Sequence, residues 1–302
     1  MPKTREILVI GGNGFIGQNI INRANDLEWN TTNLSYNNDK TGAADHFIKA
    51  DISDLTGLQN ALTNNSYDYV VNCGGYVDHS SFFNTGFDTI KTHLNGVMNL
   101  ISCLDKSKIK KFINIGSSDE YGQNKSPQKE SFREEPFSAY SFAKSASSHF
   151  LQMMYKSEKI PTLTIRLFLV YGPGQEKNRF IPQIISGCLN NDIFDTSSGE
   201  QIRNFCFIDD VIDAIFLSMN SDDVNGKIIN IGSSHAIKIN EAVNIIKNLI
   251  GSGQPQFGKV QHRPFENMSL FPDVKLANEL LKWEPKIALE EGILKTIKSF
   301  QG

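Results

Sequence analysis

The stretch Ile7-Leu8-Val9-Ile10-Gly11-Gly12-Asn13-Gly14-Phe15-Ile16-Gly17 decides how this chain folds. Four apolar residues run into a glycine-rich turn, and a helical pattern opens directly behind it. Tight turning needs residues without a Cβ, and so does close approach of backbone N–H groups to a phosphate. The N-terminus of the following helix offers the positive end of its dipole to the same anion. Strand, turn and helix in this order predict a dinucleotide-binding unit, with Gly11, Asn13, Gly14, Phe15, Ile16 and Gly17 around the pyrophosphate. A plain strand-to-helix turn is the alternative; the context favours the ligand site.

Outward from this turn, short β-rich runs alternate with helical patterns. Strands are expected at 7–10, 31–35, 47–49, 69–73, 111–115 and 162–168. Ile90, Leu94, Val97, Ile101 and Leu104 keep helical spacing. A second amphipathic helix is expected over about 139–157, ending before Pro161. This rhythm predicts an α/β fold, a doubly wound parallel Rossmann sheet. Beyond Gly172-Pro173-Gly174 it loosens, and 227–231 is the clearest later strand. The expected division is a dinucleotide-binding Rossmann domain of 1–172 and 204–232, with a smaller interleaved α/β substrate lobe of 173–203 and 233–302. Gly251-Ser252-Gly253-Gln254-Pro255 reads as a loop.

Composition narrows the function classes. The 302 residues are 39% hydrophobic and 21% charged, an ordinary globular balance. Thirty basic against 33 acidic residues leave a net charge of −3, which excludes a nucleic-acid footprint. The first apolar run is far too short for a signal-peptide core or a membrane span, so a cytoplasmic protein is expected. Cys73, Cys103, Cys188 and Cys206 lie far apart with no Cys-x-x-Cys pair. They read as buried free thiols rather than disulfides or metal ligands.

At the end of the second strand a dinucleotide site selective for NAD carries a carboxylate for the ribose hydroxyls. Here the residues are Leu34-Ser35-Tyr36-Asn37-Asn38. Ser35 would not repel a 2′-phosphate, yet no arginine stands by to clamp one. The choice between NADP and NAD stays open, leaning to NADP. Asp51-Ile52, after the third strand, reads equally as an adenine contact or as a helix cap.

Tyr140-Ser141-Phe142-Ala143-Lys144 puts a phenol and an ammonium on one helical face. Ser117 follows the fifth strand, at the end where open α/β sheets bind ligands. Hydride chemistry at a carbinol needs a group that exchanges a proton with the oxygen, and a tyrosine beside a fixed cation supplies one.

With these residues in place the chain resembles the extended short-chain dehydrogenase/reductase family of sugar-nucleotide epimerases, dehydratases and reductases. Gly11-x-x-Gly14-x-x-Gly17, Asp51-Ile52, Gly116-Ser117-Ser118 with Tyr121-Gly122, Tyr140-x-x-x-Lys144 and Tyr171-Gly172-Pro173 occur in family order. Arg179-Phe180-Ile181-Pro182, Gly199 through Phe205, Asp209-Asp210-Val211 and Trp283-Glu284-Pro285 continue it. The resemblance implies a catalytic set of Ser117, Tyr140 and Lys144. It implies a small-residue wall of Cys73, Gly74 and Gly75 beside the nicotinamide ribose. It also implies Ser118, Asp119, Arg179, Arg203 and Arg263 as contacts to a nucleotide-sugar substrate, and a homodimer paired through the two long helices.

Two positions depart from the family. His93 stands where an Asn is usual, with Asn95 close by, and a backbone hydrogen bond is the expected role for the imidazole. Leu169 replaces another Asn. Gly-Ser-Ser-acid-Glu-Tyr-Gly looks like 4-keto-6-deoxymannose reductases, and the stretch from Tyr171 to Val211 looks like CDP-linked 4-keto-dideoxysugar reductases. Reduction of a nucleotide-linked 4-keto-6-deoxy sugar ranks first, 4-epimerisation second and 4,6-dehydration third. A dinucleotide-binding sensor without turnover is the non-enzyme alternative.

Overall fold

The computed structural model describes residues 5–63, 65–262 and 266–301. The chain begins with β1 (Glu6–Ile10), α1 (Phe15–Asp26), β2 (Asn30–Ser35), β3 (His46–Lys49), α2 (Leu55–Leu62) and β4 (Tyr69–Asn72). A π-helical turn, Phe82–Gly86, leads into α3 (Phe87–Ile90), and a second, Lys91–Asn95, into α4 (Gly96–Cys103). Then come β5 (Lys111–Ser117), a 3₁₀ turn over Ser118–Tyr121, α5 (Ala139–Glu158) and β6 (Thr162–Leu167). The later elements are β7 (Leu169–Tyr171), α6 (Phe180–Leu189), β8 (Ile193–Asp195), β9 (Ile202–Phe207), α7 (Ile208–Met219) and β10 (Lys227–Ile231). Last are β11 (Ala236–Lys238), α8 (Ile239–Ile250), β12 (Gln254–Gln256), β13 (Ser269–Leu270), α9 (Lys275–Leu281) and α10 (Leu289–Gln301).

The chain divides into two compact units. The first holds the described residues up to Gly122, with Arg133–Arg166 and Ala214–Ile229; the second holds Gln123–Phe132, Leu167–Asp213 and the described residues from Asn230 onward.

The first unit is built on a parallel seven-stranded sheet in the order β10-β6-β5-β4-β1-β2-β3. Strands of such a sheet are covered on both faces, so they read as continuous apolar runs. Ile7, Leu8, Val9 and Ile10 are accordingly all buried. Leu8, Ile10, Val70 and Phe112 from the strands meet Leu58, Val97, Leu100, Ile101 and Leu151 from the helices in one core. Each such side chain contributes roughly 1.5–3 kcal/mol by leaving water. β1 pairs with both β2 and β4, so the strand order reverses there. Open α/β sheets bind ligands beyond the carboxyl ends of the strands at such a switch point.

All the expected strands form, with β5 extended to Ser117 and β4 ending at Asn72. The helical spacing from Ile90 to Leu104 is carried by the π-turn, α3 and α4 succession rather than one regular helix. The expectation of four buried thiols is corrected for two of them. Cys188 and Cys206 are buried, but Cys73 and Cys103 are partly exposed, and all four are free. Cys73 directly follows β4 and Cys103 is the last residue of α4, so both lie at the edge of an element. Among the described residues no helix is long and apolar enough to cross a membrane.

The second unit centres on β9, flanked by β11 and β13 and paired with β7. Two of the family-like motifs hold each other here. The Trp283 indole N–H donates to the Asp210 carbonyl at 2.9 Å. The Asp210 carboxylate accepts the Lys286 and Ile287 N–H groups.

Candidate active site at the carboxyl ends of the strands

The glycine turn is tied to its neighbours by its own backbone. Gly11 N–H donates to the Leu34 carbonyl at 2.8 Å, and Gly14 N–H to the Gly11 carbonyl at 2.9 Å. Gly11 has φ +75°, the left-handed region that a side chain rarely adopts. A Cβ on Gly17 would run into the Gly11 carbonyl, whereas one on Gly14 would meet only that carbonyl, at 3.3 Å. Gly14 is exposed and caps α1 without any side-chain hydrogen bond, and the first turn of α1 carries no acid. The positive helix end is thus open to an anion, which fits a dinucleotide pyrophosphate.

At the end of β2, Ser35 is buried in a network of amides. Its Oγ donates to Asn33 Oδ1 at 2.8 Å and accepts the Asn13 N–H at 3.4 Å. Asn13 also holds the Asn38 carbonyl, at 2.9 Å. Directly opposite Ser35 in the β2–β3 register stands Lys49. Its ammonium donates to Asn38 Oδ1 at 2.9 Å, and it lines a cleft with Tyr36, Ala50, Asp51, Asp54 and Gly57. Asp51 accepts the Ser53 N–H at 2.8 Å and closes a turn; the cap of α2 is Asp54. Ile52 is buried.

Ser117 ends β5 and caps the 3₁₀ turn that follows. Its Oγ accepts the Asp119 N–H at 3.1 Å, and its own N–H donates to Glu120 Oε1 at 2.9 Å. Ser118 is buried, while Asp119 is half-buried with one carboxylate oxygen 3.6 Å from His79 Nε2. Tyr140 lies in the first turn of α5, started by a reciprocal Ser138–Ser141 cap. One turn later the Lys144 ammonium stands 5.8 Å from the Tyr140 ring centroid and donates to the Ile115 carbonyl at 2.7 Å. Burial pushes this ammonium down to about 8, against the opposing pull of Glu120 and Cys73. Burial likewise pushes the Cys73 thiol up to about 12, so it stays protonated at neutral pH.

His93 takes the backbone role expected for it. Its Nε2 lies 2.7 Å from the Tyr76 carbonyl, so Nε2 carries the proton and donates. Burial and the Lys144 charge push the imidazole down to about 3, which keeps it neutral. The ring fills the space where a Cβ on Gly75 would sit, and a Cβ on Gly74 would meet Ile10 at 2.7 Å. The two glycines are therefore already required by packing within the protein.

Sequence reading missed the residue that joins these elements. Glu120 is fully buried and accepts from Ser117 N–H, from Ser148 Oγ at 2.9 Å and from Arg166 Nε at 2.9 Å. Arg166 spans to Glu134 at 2.6 Å and lies over the Tyr121 ring, 4.5 Å from its centroid. Two signals were available: the Ser-x-x-Glu spacing of a capping box and a charge inside an apolar strand.

The three candidate arginines divide. Arg203 is mostly buried; its guanidinium donates to Glu266 at 2.7 Å and to the Ile202 carbonyl at 3.0 Å. Arg179 is exposed, 3.8 Å from Glu176 in a surface pair. Arg263 lies outside the described residues.

The model of the NAD dependent epimerase/dehydratase family matches residues 7–232. Human dTDP-D-glucose 4,6-dehydratase is 27% identical over 98% of this chain and 90% of its own length. Among solved structures, Pal from Bacillus thuringiensis superposes with a TM-score of 0.89 at 25% identity, covering 98% of both chains. UDP-glucuronic acid 4-epimerase from Bacillus cereus, solved with UDP-glucuronic acid and NAD, superposes with 0.86 at 23% identity, again over 98% of both.

Proposed function

The chain belongs to the NAD dependent epimerase/dehydratase family, and within it we propose that this protein reduces the 4-keto group of a nucleotide-linked 6-deoxy sugar. A bound nicotinamide supplies hydride chemistry at the sugar C4. Tyr140 is the proton donor to the C4 oxygen, Ser117 Oγ holds that oxygen, and Lys144 keeps a cation beside the phenol. Asp119 and Ser118 lie next to Ser117 in the chain and contact the sugar. Arg203 and Arg263 hold the substrate diphosphate. Arg203 already grips a carboxylate, and a phosphate oxygen is recognised by the same guanidinium fork.

The observation that carries reduction over dehydration is the state of Glu120. Eliminating water from the sugar needs an acid and a base besides the tyrosine. Glu120 is sealed under Arg166 and Ser148, and Ser118 is a hydroxyl. Asp119 is then the one carboxylate left in the Ser117–Tyr121 turn.

NADPH is the reductant under this reading. Support comes from β2 ending in Ser35 rather than a carboxylate, with the Lys49 cation in register beside it. Gly11, Asn13, Gly14, Phe15, Ile16 and Gly17 hold the pyrophosphate, Asp51 and Ile52 flank the adenine, and Cys73, Gly74 and Gly75 border the nicotinamide ribose.

The deciding experiment supplies GDP- and CDP-linked 4-keto-6-deoxy sugars with NADPH or NADH, and identifies products by NMR. Stoichiometric cofactor oxidation with a 4-hydroxy product is expected. Interconversion of nucleotide sugars without added reductant would replace reduction by 4-epimerisation, which uses the same tyrosine and lysine.

A further inference from the structure

Glu120 has no place in the chemistry above, yet it is the most completely enclosed carboxylate beside Ser117. Nothing of it is exposed. One oxygen accepts the backbone N–H of Ser117, and the other accepts Ser148 Oγ and the Arg166 guanidinium. Ser148 lies one helical turn beyond Lys144, whose carbonyl it also holds at 3.0 Å. Glu120 therefore ties the end of β5, which carries Ser117, to the segment of α5 that carries Lys144. Gly116 makes room for it: a Cβ there would sit 2.6 Å from Glu120 Oε1.

The charge balance points the same way. Arg166 lies between two carboxylates, Glu120 and Glu134, and Glu134 also meets His149 at 3.1 Å. Glu120 is thus the buried carboxylate on the side of Lys144. The groups that face the Lys144 ammonium are Glu120, the protonated Cys73 thiol, the neutral His93 ring and, on its own helix, Tyr140. Glu120 is the one carboxylate among them.

We propose that Glu120 is a positioning residue for the catalytic set, joining Ser117 to α5 and supplying the buried negative charge against which Lys144 stays an ammonium. The proposal rests on the assignment of Ser117, Tyr140 and Lys144 made above. The Ser117–Glu120 pair is more than a turn closure, because a turn closure needs neither a full charge nor a link to α5.

Three variants separate the parts. Glu120→Gln keeps the shape and an acceptor for Ser117 but removes the charge. Glu120→Gln with Arg166→Met also removes the guanidinium it would leave uncompensated, and serves where the single variant does not fold. Ser148→Ala cuts the link to α5 and leaves the charge. The readout is the titration of Lys144 itself, followed by NMR of ¹³Cε-lysine protein, with Lys144→Arg giving the assignment. In Glu120→Gln the Lys144 signal is expected to titrate at least about one pH unit lower. Its kcat should fall about tenfold or more while substrate KM stays within about twofold, and the alkaline loss of activity should move with Lys144. Ser148→Ala should lower kcat without moving that limb. An unchanged Lys144 titration in a folded charge-removed variant overturns the proposal. Because this titration needs no turnover, a shifted Lys144 in a protein that reduces no nucleotide sugar would sink the functional reading and leave the positioning role standing.

Discussion

The rings of His93 and Tyr140 stand nearly perpendicular, at 86°, with centroids 5.1 Å apart. The imidazole is held there by its bond to Tyr76 and by the absence of a side chain at Gly75, whose φ is +109°. Gly75→Ala should therefore act on the phenol at second hand. The strained backbone alone costs roughly 1–3 kcal/mol, and the new methyl must expel the imidazole. Thermal melts and kcat should both drop. His93→Ala placed in the Gly75→Ala background should recover part of the stability; strictly additive losses would show that the ring and the glycine do not share that space.

On the proposed mechanism Tyr140→Phe removes the proton donor, and it keeps the ring that packs on His93. Cofactor affinity and melting temperature should stay near the parent values, while kcat falls on the order of a hundred- to ten-thousand-fold. Near-parental turnover in a folded Tyr140→Phe protein would end the assignment.

On the proposed assignment, Lys144 trades stability for chemistry. Its ammonium titrates near 8 in the folded protein, below the ordinary 10.5. Between those values the unfolded chain binds more protons, so stability rises with pH through that window. Below it the full penalty of burying the charge applies. Lys144→Met should then melt higher at pH 7, with each 1 kcal/mol worth about 2 °C at this size. The gain should shrink as pH climbs toward 10.5, and turnover should be lost throughout. Calorimetry at pH 7 and pH 10 makes the test, and equal gains at both would refute it.

Arg203→Ala frees Glu266 from its ion pair and, on the proposed reading, takes away one grip on the substrate diphosphate. Substrate KM should rise by about ten- to a hundredfold, the equivalent of a charge-assisted contact worth roughly 1.5–3 kcal/mol. Arg263→Ala should raise it as well, and cofactor affinity should change little in either. Parallel loss of cofactor and substrate binding would mark a folding defect instead.

The Ser35–Lys49 register makes a prediction about cofactor choice. Lys49→Met should lower kcat/KM with NADPH about tenfold and leave NADH nearly untouched, and Ser35→Asp should turn the preference toward NADH. A parent protein that already favours NADH strongly, with Lys49→Met silent, would place the ribose contacts on Tyr36 or Asn37.

Several of these features were readable in the linear chain because the chemistry behind them is local. A doubly covered strand must be apolar along its whole length, so Ile7 to Ile10 announced β1. A turn that approaches a phosphate must lack Cβ atoms, so Gly11, Gly14 and Gly17 marked the first βα junction. Four residues make one helical turn, so Tyr140 and Lys144 were known to share a face. Glu120 was visible as part of a motif, but not its linking role, because that role lies in Arg166, 46 residues away, and in Ser148, 28 residues away.

By itself, then, the sequence determined the parallel sheet, the glycine turn at its first strand and the phenol–ammonium pair, each set by spacing within one element. Only the tertiary structure decided that Lys49 stands beside Ser35, that His93 fills the space Gly75 leaves, and that Glu120 is enclosed. Those three depend on strand register, side-chain volume and the burial of charge. Each is a property of segments brought together by the core, and no periodicity along the chain encodes which distant partner a buried carboxylate or a small residue will meet.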